Sequence, residues 1–156
     1  MDYEQNPMTA FTTLETAFSQ GFRMSRVPFT EDTYFVKDKA YTSARYTYAK
    51  LKKLKVQQTS IFIEIEPLNK LPCFCLYYGT LESLRGKKLT IPFISKTLER
   101  FKKDLPKKIK EFYIETIVDC DNEPSLSIAR KLFGEPINEG KPSAKNTIIW
   151  QTKVIR

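Results

Sequence analysis

The stretch Tyr113–Gly134, YIETIVDCDNEPSLSIARKLFG, decides the fold, because it combines a buried strand, a polar break and a short helix. Its opening residues, YIETIV, are rich in apolar and β-branched types, which is typical of a central strand. Asn122 is a suitable N-cap, and Gly134 suits the position after the last helical turn. A strand that leads into a helix through a polar turn predicts an α/β protein with a possible ligand site, although the same unit also occurs as scaffold.

A second stretch, Cys73–Lys103, has the same organisation. It reads CFCLYYGTLESLRGKKLTIPFISKTLERFKK, which predicts a strand, a turn containing Arg85–Gly86–Lys87–Lys88, and a helix. The helix is indicated by apolar residues at helical spacing, namely Ile94, Leu98, Phe101 and Leu105.

Together the two stretches resemble the GNAT acetyltransferase superfamily. In that family a strand ends in an R-G-x-G-x-G/A turn, and the next helix N-terminus holds the pyrophosphate of acetyl-CoA. Further on, a strand leads into N-x-x-S/A-x-x-x-x-x-K-L-G-F. The second motif corresponds here to Asn122–Glu123–Pro124–Ser125 followed by Arg130–Lys131–Leu132–Phe133–Gly134, with the last pair inverted. The resemblance covers about residues 57–156.

The resemblance implies an α/β (α+β mixed) fold with a GNAT-like central mixed sheet flanked by helices. We expect a single domain, residues 1–156, in which residues 57–156 form an acyl-CoA-binding-like core and residues 1–55 match the family poorly. Two middle parallel strands, 73–81 and 110–118, are expected to splay apart around acetyl-CoA.

The resemblance also implies an N-acetyltransferase that moves an acetyl group from acetyl-CoA to an amine, with the acceptor unnamed. Donor binding then falls to Gly79, Thr80, Leu81, Arg85, Gly86, Lys87, Lys88, Leu89, Thr90, Asn122 and Ser125. The candidate catalytic residues are Glu82, Glu64 and Ser125.

An amine with a pKa near ~10 in water must lose a proton before it attacks. Glu82 lies nearest the turn, while Glu64 and its neighbour Glu66 fit either the base or plain exposed strand residues. Ser125 fits either a donor to the leaving sulfur or a first-turn capping residue.

Three positions depart from the family pattern. Lys88 and Thr90 stand where the family has glycines, which let the backbone approach the phosphates. Lys87 and Lys88 can add charge-assisted contacts to phosphate. Ala129 stands where many members carry a tyrosine that protonates the leaving thiolate. The departures leave an alternative open: a catalytically inactive GNAT-like protein that binds nucleic acid or an acidic protein.

Basic residues are concentrated in two segments of this chain, whose formal net charge is +8. Residues 85–110 contain ten Lys or Arg against two acids, and residues 37–55 contain seven against one. Such segments fit either a solvated surface or an anionic partner. Tyr41, Tyr46 and Tyr48 lie among these cations, a combination that can stack bases.

Composition excludes several classes of chemistry. The chain has no histidine, so Ser-His-Asp and Cys-His catalysis and His-ligated metals are excluded. Its three cysteines, Cys73, Cys75 and Cys120, lack metal-site spacing and fit a reducing compartment, so we expect no metal. Neither an apolar run long enough to span a bilayer nor a secretory signal is evident, so we expect a cytoplasmic protein without membrane contact.

The remaining elements follow from local patterns. A capping box, Thr12 with Glu15, predicts a helix over residues 13–20. Residues 42–55 are predicted to be helical. Strands are predicted over residues 34–36, 60–66, 73–80, 110–118 and 147–155.

Overall fold

A computed structural model describes residues 7–138 and 141–156 of the chain. In this part of the chain three α-helices accompany a seven-stranded mixed sheet of order β1-β2-β3-β4-β5-β6-β7. The predicted mixed α/β class is therefore confirmed. In chain order the elements are α1 (Pro7–Ser19), β1 (Ser25–Arg26), β2 (Thr33–Ala40), β3 (Ser43–Lys52), β4 (Lys55–Leu68), β5 (Leu71–Thr80), α2 (Thr90–Asp104), β6 (Glu111–Asp119), α3 (Glu123–Phe133) and β7 (Thr147–Ile155).

The described residues divide into two compact units. The first comprises residues 7–63 and 77–98, and the second comprises residues 64–76, 99–138 and 141–156. None of the described helices is both long and apolar enough to cross a membrane.

The first unit is an antiparallel β1–β4 arrangement with α1 packed against it. The helix buries apolar side chains at i, i+3 and i+7, which are Phe11, Leu14 and Phe18. They form one cluster with residues of β3 and β4, including Ala49 and Val56. This packing gives the first unit a hydrophobic core of its own.

The prediction of a helix over residues 42–55 is wrong, because this segment forms β3, a two-residue turn and the start of β4. All five side chains from Arg45 to Ala49 are buried. A strand covered on both faces has no polar alternation, so its apolar spacing can imitate that of a helix. The tyrosines and threonine of this segment favour a strand.

The predicted capping box is also wrong, since α1 begins at Pro7 and Glu15 lies in its interior. The Glu15 carboxylate instead accepts a hydrogen bond from the Val56 N–H at 2.9 Å and lies 3.8 Å from the Lys55 ammonium. Glu15 therefore connects α1 to the start of β4.

The second unit contains the parallel pair that the sequence predicted. The ladder between β5 and β6 pairs Cys73 with Tyr113 and Cys75 with Glu115 in parallel. Along its whole length β6 also pairs antiparallel with β7, whose bounds are those predicted.

Two groups of side chains form the core of the second unit. The rings of Phe74, Phe101 and Phe112 meet edge to face, with centroids 5.0–5.9 Å apart. The other group joins α3 to β6 and β7 and consists of Val118, Leu126, Ala129, Ile148 and Trp150.

We expect Phe101→Ala to lower the free energy of unfolding by about 3–5 kcal/mol, because it removes a fully buried ring from this cluster. Urea unfolding followed by circular dichroism measures the change. Lys103→Ala, at an exposed position of the same helix, is the control and should change stability by less than about 0.5 kcal/mol. A loss below about 1 kcal/mol for Phe101→Ala would contradict the packing described here.

Candidate functional site

The turn between β5 and α2 has an unusual backbone. A short 3-10 helix, Glu82–Leu84, follows the strand, and α2 begins at Thr90. Between them Gly86 has φ 75° and Lys88 has φ 57°. Glycine adopts positive φ without a steric penalty, whereas a lysine pays for the clash of its Cβ. The turn therefore holds Lys88 in a conformation that glycine would adopt at lower cost.

A hydrogen-bonded group joins the end of β5 to the start of α2. The Thr80 hydroxyl lies 2.7 Å from the Thr90 hydroxyl and accepts a hydrogen bond from the Gln58 amide at 3.2 Å. The Arg85 Nε donates to the Thr80 carbonyl at 3.1 Å. These contacts bring together three of the predicted donor-binding residues.

Gln58 was missed by the sequence reasoning, although it lies fully buried on β4. The available signal was a polar residue two positions before the alternating stretch SIFIEIE, because a polar side chain that is buried in a strand must find a hydrogen-bond partner.

The electrostatics of the turn favour an anion. The side chains of Arg85, Lys87 and Lys88 are exposed, and the first turn of α2 contains no acidic residue. The N-terminus of a helix presents unpaired N–H groups and the positive end of the helix dipole. This arrangement can bind phosphate groups.

The other predicted donor-binding residues, Asn122 and Ser125, lie in the second unit. Asn122 is the N-cap of α3, as predicted, and its side-chain oxygen accepts a hydrogen bond from the Ser125 N–H at 3.3 Å. The helix ends at Gly134, which has φ 77°. The Asn122 amide is thus used in starting the helix, and the half-buried Ser125 occupies its first turn.

Ala129 is a core position. Its side chain is fully buried in a cluster with Trp150, whose indole N–H donates to the Gly134 carbonyl at 2.9 Å. A tyrosine at this position would overpack the core of the second unit.

The candidate bases are placed differently. Glu82 is exposed in the 3-10 helix beside the turn, in the first unit. Glu64 and Glu66 are exposed on β4, in the segment that belongs to the second unit. Glu82 is therefore the candidate carboxylate that shares a unit with the anion-favouring turn.

Two of the three tyrosines considered for base stacking are buried. Tyr46 and Tyr48 stack against Phe35, and the Lys37 ammonium lies 5.0 Å from the centre of the Tyr46 ring. Tyr41 is exposed in the β2–β3 turn. The buried rings belong to the core and are closed to nucleic-acid bases.

The buried Cys73 thiol lies in an environment that disfavours its ionisation. Burial, and secondly the nearby Glu115 carboxylate, raise the pKa of Cys73 from its ordinary value of 9.0 to about 11. The described residues contain no group of three or more His, Cys, Asp or Glu placed to hold a metal ion.

Comparison with known proteins gave no match to a protein-family model and none to a curated protein. Solved structures similar to the chain include the ribosomal L7/L12 alpha-N-protein acetyltransferase RimL, at 18% identity and TM-score 0.47, over 71% of this chain and 69% of that one. Another is the spermidine N-acetyltransferase of Vibrio cholerae in complex with CoA and spermine, at 13% identity and TM-score 0.45, over 72% of this chain and 65% of that one. This chain therefore spans slightly less than two thirds of the Vibrio enzyme. A domain from Methanocaldococcus jannaschii is similar at 11% identity and TM-score 0.47, over 97% of this chain and 94% of that one.

We expect Lys88→Gly to stabilise the protein by up to about 1 kcal/mol, because glycine relieves the left-handed strain and this gain exceeds the entropy that glycine adds to the unfolded chain. Lys87→Gly is the matched control at an adjacent lysine that is not among the positive-φ residues, and it should be neutral or destabilising. Thermal unfolding measures both, and a destabilised Lys88→Gly would contradict the strained turn.

The raised pKa of Cys73 predicts a loss of stability at high pH. Between pH 9 and 11 the thiol ionises in the unfolded chain but keeps its proton in the folded one, so the unfolded state binds fewer protons and is favoured as pH rises. Unfolding in urea across this range should show a shallower pH dependence in Cys73→Ala than in the unmodified protein. Cys120→Ala, which changes the half-buried thiol, is the control, and an unchanged slope in Cys73→Ala would refute this assignment.

Proposed function

We propose that the chain is a GNAT-like N-acetyltransferase that transfers the acetyl group of acetyl-CoA to an amine. The observation that carries the proposal is the backbone of the turn before α2. Positive φ occurs at Gly86 and at Lys88, the first two positions at which the R-G-x-G-x-G/A pattern has glycine. Lys88 therefore has a positive φ although it stands where the family pattern has glycine.

Thr90 occupies the third glycine position of the pattern. Its hydroxyl is hydrogen-bonded to the Thr80 hydroxyl at the end of β5. The side chain is thus held against the protein by a specific contact. We propose that the N–H groups at the start of α2, with Lys87 and Lys88, bind the pyrophosphate of the donor.

The residues of β5 before the turn have a second proposed role. Gly79, Thr80 and Leu81 would hold the pantetheine arm through their backbone groups, as an added strand does. Leu89, within the turn, is assigned to the donor site with them. In the second unit Asn122 and Ser125 are assigned to the thioester by the motif they carry.

The transfer itself needs a deprotonated amine. We propose that Glu82 takes the proton from the ammonium group, directly or through water, because it is the candidate carboxylate beside the turn. The amine nitrogen then attacks the thioester carbonyl carbon, a C–N bond forms, the C–S bond breaks, and the sulfur leaves with the electron pair. Glu64 is the second candidate for the same role.

The leaving thiolate must acquire a proton at the end of the reaction. Ala129 has no group that could donate this proton, and its position is filled by core packing. The Ser125 hydroxyl or a water molecule is therefore the proposed donor, and it regains a proton from the nitrogen, which loses its second proton as the amide forms. CoA-thiolate is a stable leaving group, so weak proton donation at this step is compatible with turnover.

A reducing compartment fits the three cysteines, which are all free thiols. Cytoplasmic location is proposed on this ground. The acyl acceptor is proposed only as an amine.

The predicted alternative is a GNAT-like protein that has lost catalysis and binds nucleic acid or an acidic protein. The specific features in its favour are the absence of two turn glycines and of the tyrosine, together with the two basic segments. The two proposals differ in whether CoA binds.

We expect acetyl-CoA and free CoA to stabilise the protein, by about 2.7 kcal/mol at one hundred times the dissociation constant. Arg85→Ala should weaken this binding by roughly tenfold, since it removes a cation and the hydrogen bond that braces the turn. Thermal unfolding with calorimetry measures both effects. Arg26→Ala, an exposed arginine on β1, is the control and should bind CoA normally.

In the same assay Lys88→Gly should keep CoA binding, because the closer backbone approach that glycine allows offsets the loss of the Lys88 cation. Failure of millimolar CoA to stabilise the unmodified protein would reject donor binding and favour the alternative. Equal weakening by Arg85→Ala and Arg26→Ala would show that the turn is not the donor site.

A further inference from the structure

We propose that the second unit binds the phosphate backbone of nucleic acid through a surface that shares no residue with the turn before α2. We call this surface the basic end. It consists of six exposed cations, namely Lys70, Lys103, Lys107, Lys108, Lys110 and Arg156. The proposal concerns the second unit alone and does not depend on acetyl transfer.

The register of three strands places the basic end at one end of the sheet. Cys73 of β5 pairs with Tyr113 of β6 in parallel, so Lys70 and Lys110, each three residues earlier, lie at the same level. The Arg156 N–H donates to the Lys110 carbonyl at 2.9 Å, just beyond the last ladder pair of β6 and β7. Neighbouring strands are about 4.8 Å apart, so the backbones of Lys70, Lys110 and Arg156 lie close together at this end of the sheet.

The loop before β6 is held in place by Arg156. Its guanidinium donates to the Pro106 carbonyl at 2.8 Å and to the Ile109 carbonyl at 3.2 Å. The Ile109 N–H closes the turn by donating to the Pro106 carbonyl at 3.0 Å. Lys107 and Lys108 therefore project from an ordered turn, and less conformational entropy is lost when they bind an anion.

Two acidic residues beside the basic end already pair with other cations. The Glu111 carboxylate lies 3.4 Å from the Lys153 ammonium, and the Asp104 carboxylate accepts from Arg100 at 2.7 Å. Among the ion pairs formed by residues 7–138 and 141–156, none involves a cation of the basic end. The six exposed cations of the basic end are therefore available to an anionic partner.

The composition of this surface favours nucleic acid over other anionic partners. Protein interfaces combine charge with an apolar core, and membrane-binding surfaces add inserted apolar side chains. At the basic end Ile155 is the one large hydrophobic side chain that the described residues expose, so this surface lacks the apolar area that a protein or membrane partner would contact. The aromatic side chains exposed in the described part of the chain, Phe29 and Tyr41, belong to the first unit, so we expect the basic end to bind through phosphates without sequence preference.

The test is binding of a short fluorescent oligo(dT) by anisotropy, with salt varied between roughly 50 and 200 mM. Affinity should fall steeply with salt. Lys107→Gln with Lys108→Gln should weaken binding by roughly tenfold and reduce the slope of log K against log salt by about 1.4, the value for two lost phosphate contacts on a single strand.

Lys52→Gln with Lys53→Gln is the matched control, because it also removes two adjacent exposed lysines, at the turn between β3 and β4. It should change affinity by less than twofold. Equal losses in both double variants, or a salt-independent affinity, would overturn the assignment to the basic end. Polyglutamate or phosphatidylserine vesicles that bind as tightly as oligo(dT) at equal charge would overturn nucleic acid as the partner.

Discussion

The edge-to-face packing of Phe74, Phe101 and Phe112 is the interaction on which much of the second unit depends. It packs α2 against β5 and β6, which are parallel strands and therefore cannot be connected by a short turn. Phe101, near the end of α2, packs against Phe74 of β5 and Phe112 of β6, so the cluster joins three elements of the second unit.

The turn before α2 shows how a glycine-poor chain retains a tight backbone. The protein has five glycines in 156 residues, and several of its turns place other residues at positive φ. Lys88 adopts this conformation at a steric cost and provides a cation just before the N-terminus of α2. The buried Gln58 amide donates to the Thr80 hydroxyl, which is paired with the Thr90 hydroxyl. These uncharged contacts fix the two ends of the turn.

The cations of the chain divide by their surroundings. Some are held by carboxylates, as the fully buried Arg45 is held by Asp38 through two hydrogen bonds. A buried pair of this kind serves the fold, since removing either partner would leave an uncompensated charge. Others, such as Lys107 and Lys108, lie in a turn and form no ion pair in the described part of the chain. A count of basic residues along the chain therefore overstates the exposed positive charge wherever a carboxylate pairs with the cation.

The sequence by itself determined the βα unit around residues 113–134, because the signals for it are local: an apolar strand, an Asn122 cap and a Gly134 stop each act within a few residues. The tertiary structure decided that residues 42–55 are strand, since burial on both faces comes from neighbours that lie far away in the chain. It also decided that Gln58 meets Thr80, a contact between residues 22 positions apart. Hydrophobic periodicity and helix capping depend on residues that are close in sequence. The hydrogen-bond partner of a buried polar group depends instead on which strands are adjacent in the folded sheet.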